Sequence, residues 1–178
     1  NKILEGLLAA GYSQSALVPI VDAPAAQAAS QAGLGATVEV TLGGTLDTGR
    51  FQPLAVTARV ISLHDGHFLY ENGMEAKAGS VAVLRVGSID ILVTSRSVYV
   101  VGRQVFTHHG LDPQDYDLVV VKSPNGFRTH YEQMASSIVP VDVPGSTSAN
   151  LHSLPYTHCP RPIFPLDENV QPGFLETP

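Results

Sequence analysis

The sequence has little cysteine, little charge and no long apolar run. Cys159 is its only cysteine, so no disulfide can form within the chain, and a reducing cytoplasmic location is expected. Ten Lys and Arg stand against 16 Asp and Glu, for a net charge of −6, and no basic run is present, which argues against nucleic-acid binding. No apolar stretch approaches the roughly 18 residues that a bilayer span needs, so no membrane association is expected.

Motifs that would make the chain a complete enzyme are also missing. The sequence has no Gly-x-Ser-x-Gly nucleophile elbow and no His-Glu-x-x-His helix. His158 and Cys159 are neighbours, and adjacent side chains rarely reach the contact that a Cys-His nucleophile requires. We therefore assign no catalytic residue and no metal ligand within this chain.

The length fits one domain spanning residues 1–178, with 44% hydrophobic residues available for a core. The chain starts at Asn1 without a methionine, and a helical pattern begins at once with Ile3, Leu4, Leu7 and Leu8. Because the helical pattern begins at the first residues of the chain, the chain is expected to be part of a longer protein. We expect this chain to be the C-terminal part of a larger protein whose N-terminal domain precedes it.

The pattern along the chain predicts a mixed α/β (α+β) fold. Helices are expected over residues 1–11 and 23–33, the second ending at Gly33. Alternation predicts strands at 38–42 and 56–60, with a hairpin turn at Asp65-Gly66. Nearly continuous apolar runs predict a buried hairpin at 81–86 and 89–93 and a short strand at 98–101. These strands form the antiparallel, β-rich middle of the predicted fold.

The pattern of apolar residues then changes and predicts a short parallel βαβ unit at the C-terminal end. Residues 118–121 and 138–141 are apolar and strand-like, and residues 124–136 between them read as a helix. Ser123 would be the N-cap of this helix and Pro124 its first residue.

The segment from Lys122 to Arg128 is the most informative candidate site. It would join the carboxyl end of a parallel strand to a helix N-terminus, where open α/β sheets bind ligands and free N–H groups attract anions. Lys122, Ser123, Asn125 and Arg128 are predicted to bind a substrate carboxylate there. The alternative is a plain capped helix with solvated cations.

Two further groups of residues are candidate sites, and each also has an ordinary structural explanation. The loop 144–148, Pro-Gly-Ser-Thr-Ser, would lie at the same sheet edge, although a turn with a helix cap is favoured. His64 and His67 flank the Asp65-Gly66 turn and could together bind one metal ion, but further ligands are not apparent.

Several segments, taken in order, carry a family resemblance: TVEVTLGGTLD, VTARVISLHDGHF, AVLRVGSIDILVTSRSV, FTHHGLDPQDYDLVVVKSPNGFR, VPGSTSANLHSLPY and PRPIFPLD. Together they are similar to the C-terminal domain of the microcystinase C-like (MlrC-like) metallopeptidases, which are bacterial. The resemblance covers nearly the whole chain. It departs from the family at Gly126, where many members have a His.

The resemblance implies a function for the whole protein. It implies a zinc-dependent amide or peptide hydrolase whose zinc ligands belong to the N-terminal domain, outside this chain. This chain would be the substrate-side domain, with the N-terminal domain of the same protein as partner and a small peptide-like or carboxylate substrate. The alternatives are a non-catalytic domain that binds a small anion, or a structural domain that forms homo-oligomers.

Overall fold

A computed structural model describes residues 1–44, 51–143, 150–168 and 170. The chain divides into two compact units, residues 1–139 and 140–178. Within the described residues, no helix has the length and apolar character needed to cross a bilayer. The helices and strands, all in the first unit, are α1 (Lys2–Ala9), β1 (Ala16–Val21), α2 (Ala23–Ala32), β2 (Thr37–Leu42), β3 (Leu54–His64), β4 (His67–Leu69), β5 (Glu75–Lys77), β6 (Val81–Val86), β7 (Ile89–Thr94), α3 (Gln104–Thr107), β8 (Leu118–Val119) and α4 (Arg128–Tyr131).

A six-stranded sheet with the order β2-β3-β6-β7-β1-β8 organises the first unit. The pairs β2–β3, β3–β6 and β6–β7 are antiparallel, whereas β1 is parallel to both β7 and β8. Strands β4 and β5 form a separate antiparallel ribbon. The mixed α/β class with a largely antiparallel middle is therefore confirmed.

Two apolar clusters are built by the alternating side chains of the sheet. The first includes Leu4 of α1 and three alanines of α2, whose small side chains let the helix approach the strands. The second includes Phe106 of α3 and Tyr131 of α4. Because β7 contributes Ile91 to the first cluster and Leu92 to the second, this strand is covered on both faces, which explains its continuous apolar run.

Helix α2 ends and begins where the sequence predicts. The Asp22 carboxylate accepts a hydrogen bond from the Ala25 N–H at 2.9 Å, which caps the first turn. Gly33 ends the helix with a φ of +85°, a conformation that residues with a Cβ rarely adopt.

Strand β1 was not anticipated, because Pro19 lies inside it and prolines are uncommon in central strands. The register explains why it is tolerated. Even-numbered N–H groups of β1 face β7, as the bond from Ala16 N to Ser88 O shows, so residue 19 faces β8. Val120 N donates to Leu17 O at 2.9 Å, and the next donor on that side would be the N–H that proline lacks. Pro19 thus ends the β1–β8 ladder, which keeps β8 short.

The predicted βαβ unit is wrong in its second half. Strand β8 has a parallel partner, but the partner is β1. Residues 138–141 form no strand: Val139 and Val141 are 74% and 57% exposed, and Pro140 lacks a backbone donor. The helix predicted over 124–136 shrinks to α4, since Asn125 and Gly126 are poor helix formers and adopt a turn instead.

Two smaller expectations also change. The Asp65-Gly66 turn reverses the chain, but β3 pairs with β2 and β6 while β4 pairs with β5, so the predicted hairpin ladder is replaced by two separate pairings. The strand expected at 98–101 is reduced to one bridge, between Val100 and Lys122.

The second unit is described only in part. Its regular element among the described residues is a single 3-10 turn at Leu151–Ser153. Arg161 and Asp167 form an ion pair there, with 2.6 Å between Arg161 Nε and Asp167 Oδ2, and Ile163 N also donates to that carboxylate. These hydrogen bonds, from Arg161 first, lower the pKa of Asp167 to about 2.

Candidate functional site

The Lys122–Arg128 loop lies at the edge of the sheet where the parallel strands end. His64 of β3 and Thr94 of β7 are both aligned with Val81, and Thr94 is aligned with Val21 of β1. The carboxyl ends of β3, β7 and β1 therefore lie side by side along one end of the sheet, here called the carboxyl edge. Lys122 follows β8 at this carboxyl edge. The expected edge position of the loop survives the change of strand partner.

The loop is a compact turn organised by Ser123. Its hydroxyl oxygen accepts the Phe127 N–H at 3.2 Å, and the Asn125 carbonyl accepts the Arg128 N–H at 3.1 Å. Ser123 therefore closes a turn, and the predicted N-cap role is wrong: the helix begins only at Arg128, with Phe127 at its N-cap, so Pro124 is not its first residue either. The hydroxyl hydrogen of Ser123 stays available to donate.

Lys122 and Asn125 carry the uncommitted polar groups of the loop. Both side chains are exposed, and neither the Lys122 ammonium nor the Asn125 amide has a hydrogen-bond partner among the described residues. Together they offer a positive charge and an amide donor to a ligand in solvent.

Arg128 is placed differently from the two free groups. Its Nη1 lies 2.9 Å from Glu132 Oε1, and its guanidinium lies 5.4 Å from the centre of the Phe127 ring. Both charged side chains are more than half exposed. An exposed pair of this kind is worth about 0.3–0.5 kcal/mol, so it holds Arg128 only weakly and leaves the guanidinium open to a second carboxylate.

A histidine cluster occupies another part of the same edge. The ring of His109 lies 5.0 Å from that of His64 and 5.2 Å from that of His108, and the ring of Phe68 packs against His108 and His109. The side chain of His109 is 1% exposed; its Nδ1 lies 2.8 Å from Val105 O, and its Nε2 has no partner among the described residues. Because a carbonyl only accepts, Nδ1 carries the proton and Nε2 is an unpaired acceptor.

Burial dominates the electrostatics of this cluster. It lowers the pKa of His109 to about 4 and lowers that of His64 as well, with neighbouring histidines adding to both shifts. His64 and His67, expected to face each other across the turn, are separated in role: His64 Nε2 lies 2.9 Å from Ser62 Oγ, while His67 is exposed on β4. Across the described ranges, no three His, Cys, Asp or Glu side chains are grouped so that they could hold a metal ion.

A paired network around Asp90 lies at the opposite end of the strands, here called the amino edge of the sheet. The buried Asp90 carboxylate accepts from Arg85 Nε at 2.6 Å, from Arg85 Nη2 at 2.8 Å and from the Tyr116 hydroxyl at 2.7 Å. Burial and this bond to Asp90 raise the pKa of Tyr116, so its hydroxyl keeps its proton. An open hollow of about 390 Å³ lies here, lined in part by Ser15 and Asp115. The sequence reading missed this network, which Asp90 within an apolar run could have signalled.

The second predicted loop, 144–148, lies outside the described residues, so its expected place at the same edge stays a prediction. The structure brings Lys122, Ser123, Asn125 and Arg128 into one exposed turn but does not test what they bind.

The fold and this edge define a class: a mixed α/β domain with a cationic loop at the carboxyl ends of its parallel strands and no metal-binding group in its described residues. The chain belongs to the MlrC C-terminus family, whose profile matches residues 1–158. It is similar to microcystinase C of Sphingomonas sp, at 27% identity over 154 residues, which is 86% of this chain and 29% of that protein. It also resembles the crystal structure of a candidate metallopeptidase from Mesorhizobium sp. BNC1, with a TM-score of 0.83 and 29% identity over 96% of this chain and 34% of that one. The chain thus spans about a third of the length of these relatives.

Proposed function

We propose that this chain is the substrate-side domain of a zinc-dependent amide or peptide hydrolase. Family membership and the two relatives support a metallopeptidase as the whole protein. The side chains described here do not fit a zinc site, because no three potential ligands are grouped. We accordingly assign the zinc ligands to a preceding N-terminal domain and derive no chemical step from this chain.

The observation that carries the proposal is that polar groups of the Lys122–Arg128 loop are exposed and available to a ligand. Lys122 and Asn125 are exposed and unpaired at the sheet edge where α/β proteins bind ligands, and Ser123 lies between them. Arg128 is held by an exposed ion pair that a carboxylate can replace. These four residues would bind the carboxylate of a peptide-like substrate and orient it toward the N-terminal domain.

Location and assembly complete the proposal. A single cysteine suits a cytoplasmic protein, and the N-terminal domain is the proposed partner. A structural, homo-oligomeric role is the remaining alternative, and the exposed apolar side chains Tyr99, Leu69 and Met74 would supply its contact surface. Non-catalytic anion binding is the alternative function of the same loop.

Arg128→Ala in the full-length protein tests the substrate role. Losing a hydrogen bond from a charged group costs about 1.5–3 kcal/mol, so we expect kcat/KM for a peptide substrate to fall roughly 10- to 150-fold. Zinc content should stay at the wild-type level, and the melting temperature should change little because the Glu132 pair is exposed. Zinc analysis, thermal unfolding and kinetics are measured on one preparation.

The matched control is Arg59→Ala, a cation on the sheet far from the loop in sequence. Unchanged kinetics in Arg128→Ala would contradict the substrate role. Carboxylate binding without any zinc or hydrolysis in the full-length protein would favour the non-catalytic alternative.

A further inference from the structure

Residues 100–104, here called the strap, contact the loop at two points and Tyr131, which follows the loop, at a third. The backbone of Val100 forms a bridge with that of Lys122. A Cβ built on Gly126 would lie 2.8 Å from Val101 Cγ1, so the two residues are in close contact. Gly102 O accepts a hydrogen bond from the Tyr131 hydroxyl at 2.9 Å, just after the loop. The path of the loop therefore depends on the position of the strap.

The strap is itself fixed from its other side by Glu71, at the tip of the β4–β5 ribbon. Glu71 Oε1 accepts the Gln104 N–H at 2.8 Å. The carboxylate packs closely on Gly102, so a Cβ at that position would force the Glu71 side chain to move. Partial burial alone would raise the pKa of Glu71, but the backbone hydrogen bonds from Gln104 and Arg103 outweigh it and lower that pKa. Glu71 is thus ionised at neutral pH and holds the strap as an anion.

Tyr131 completes this arrangement from the loop side. Its side chain is 5% exposed within the second apolar cluster, and burial, followed by the nearby Glu71 charge, raises the pKa of its hydroxyl. The hydroxyl therefore stays protonated and donates to Gly102 O. Removing that donor would leave a buried carbonyl unpaired while the ring keeps its packing.

We propose that Tyr131 is a positioning residue for ligand binding by the Lys122–Arg128 loop, acting through the strap that Glu71 holds in place. The inference rests on the proposed function of the loop. Tyr131 does not touch the ligand; it fixes Gly102, and with it the bridge that sets the direction of Lys122.

The test uses the dicarboxylate glutarate as probe, titrated into the isotopically labelled chain and followed by NMR. Tyr131→Phe is expected to raise the Kd of glutarate roughly 5- to 10-fold, the size that one unpaired buried carbonyl would transmit. Amide hydrogen exchange at Lys122 and Phe127 should accelerate in the same variant. Gly102→Ala, which disturbs the strap without touching the loop, should weaken glutarate binding in the same direction.

Tyr116→Phe is the matched control, because Tyr116 is also a tyrosine whose hydroxyl donates a hydrogen bond, here to Asp90 in a partly buried position at the amino edge. It should lower the melting temperature as Tyr131→Phe does and leave glutarate binding unchanged. Lys122→Ala, which removes a direct ligand contact, reports on the loop itself.

The outcomes distinguish the positioning role of Tyr131 from the proposed ligand binding by the loop. If Lys122→Ala weakens binding but Tyr131→Phe binds glutarate like the wild type, the positioning inference is overturned and the proposed loop stands. If the wild type does not bind glutarate, or Lys122→Ala has no effect, the proposed function is contradicted and the inference falls with it. Weaker binding in Tyr131→Phe and Gly102→Ala, with Tyr116→Phe unchanged, supports both.

Discussion

The two edges of the central sheet use their polar side chains in different ways. At the amino edge, the Asp90 carboxylate accepts three hydrogen bonds from Arg85 and Tyr116, and Ser15 and Asp117 bond to each other at 2.6 Å. At the carboxyl edge, Lys122, Asn125 and the buried Nε2 of His109 have no partner among the described residues.

The contrast separates structural from available polar groups. A carboxylate that already accepts three bonds has little capacity left for a ligand, so the amino-edge hollow is a poor site despite its charged lining. Groups without partners at the carboxyl edge are instead free to bind one. This difference favours the Lys122–Arg128 loop over the hollow as the ligand site.

Asp90→Ala should have the largest effect on stability and none on ligand binding. The change leaves the Tyr116 hydroxyl and the Arg85 guanidinium without their acceptor. Since Arg85 is half exposed and can recover water, we expect a loss of about 3 kcal/mol in the free energy of unfolding, at the low end for breaking a buried ion pair. Urea denaturation measures the loss, and the Tyr116→Phe control should lose only about 1 kcal/mol. Weakened glutarate binding in folded Asp90→Ala would contradict the division between the edges.

His109 should make the carboxyl edge sensitive to acid. Its pKa is lowered from 6.5 in the unfolded chain to about 4 in the fold, so the unfolded chain takes up the proton first as pH falls. The stabilisation is complete above pH 6.5 and is lost on the way down to pH 4. Between pH 7 and pH 5 we expect a loss of about 2 kcal/mol in unfolding free energy.

His109→Leu is the control for this pH dependence. It should flatten the stability profile between pH 7 and pH 5, leaving a residual slope from His64, whose pKa is lowered in the same direction. His67→Ala, an exposed histidine nearby, should leave the profile as it is in the wild type. A profile as steep in His109→Leu as in the wild type would show that another group is responsible.

Regular elements with clear periodicity were predictable from the sequence. The helices α1 and α2, the strand β2 and the β6–β7 hairpin fall where spacing, caps and alternation put them. These signals are local, because each depends on residues within one element or one tight turn. Strand β1 was not predicted, because a proline such as Pro19 argues against a central strand. It is compatible with one only because the neighbouring strand β8 ends before reaching it, which the sequence does not reveal.

The grouping of the four loop residues in one turn was predictable from the sequence, but the geometry around that turn was not. Lys122, Ser123, Asn125 and Arg128 do share one turn, yet the strand beside β8 comes from residues 16–17, a hundred positions earlier in the chain. The contacts of Tyr131 with Gly102 and of Glu71 with Gln104 likewise join segments about 30 residues apart. Such pairings depend on tertiary packing, which local patterns do not encode.

Glu132→Gln should have the smallest effect on stability and on glutarate binding, and it tests whether Arg128 itself binds the ligand. The change removes the ion pair with Arg128 at an exposed position, so the unfolding free energy should fall by only about 0.3–0.5 kcal/mol. If Arg128 binds the ligand, losing its competitor should strengthen glutarate binding by roughly the same energy, about 2-fold in Kd. Paired titrations of Glu132→Gln and the Arg128→Ala, Glu132→Gln double variant measure this gain, which the double variant should lack. A gain that persists without Arg128 would mean that Glu132 acts on Lys122 or another group, and a loss of affinity would mean that the ion pair holds Arg128 in the binding position.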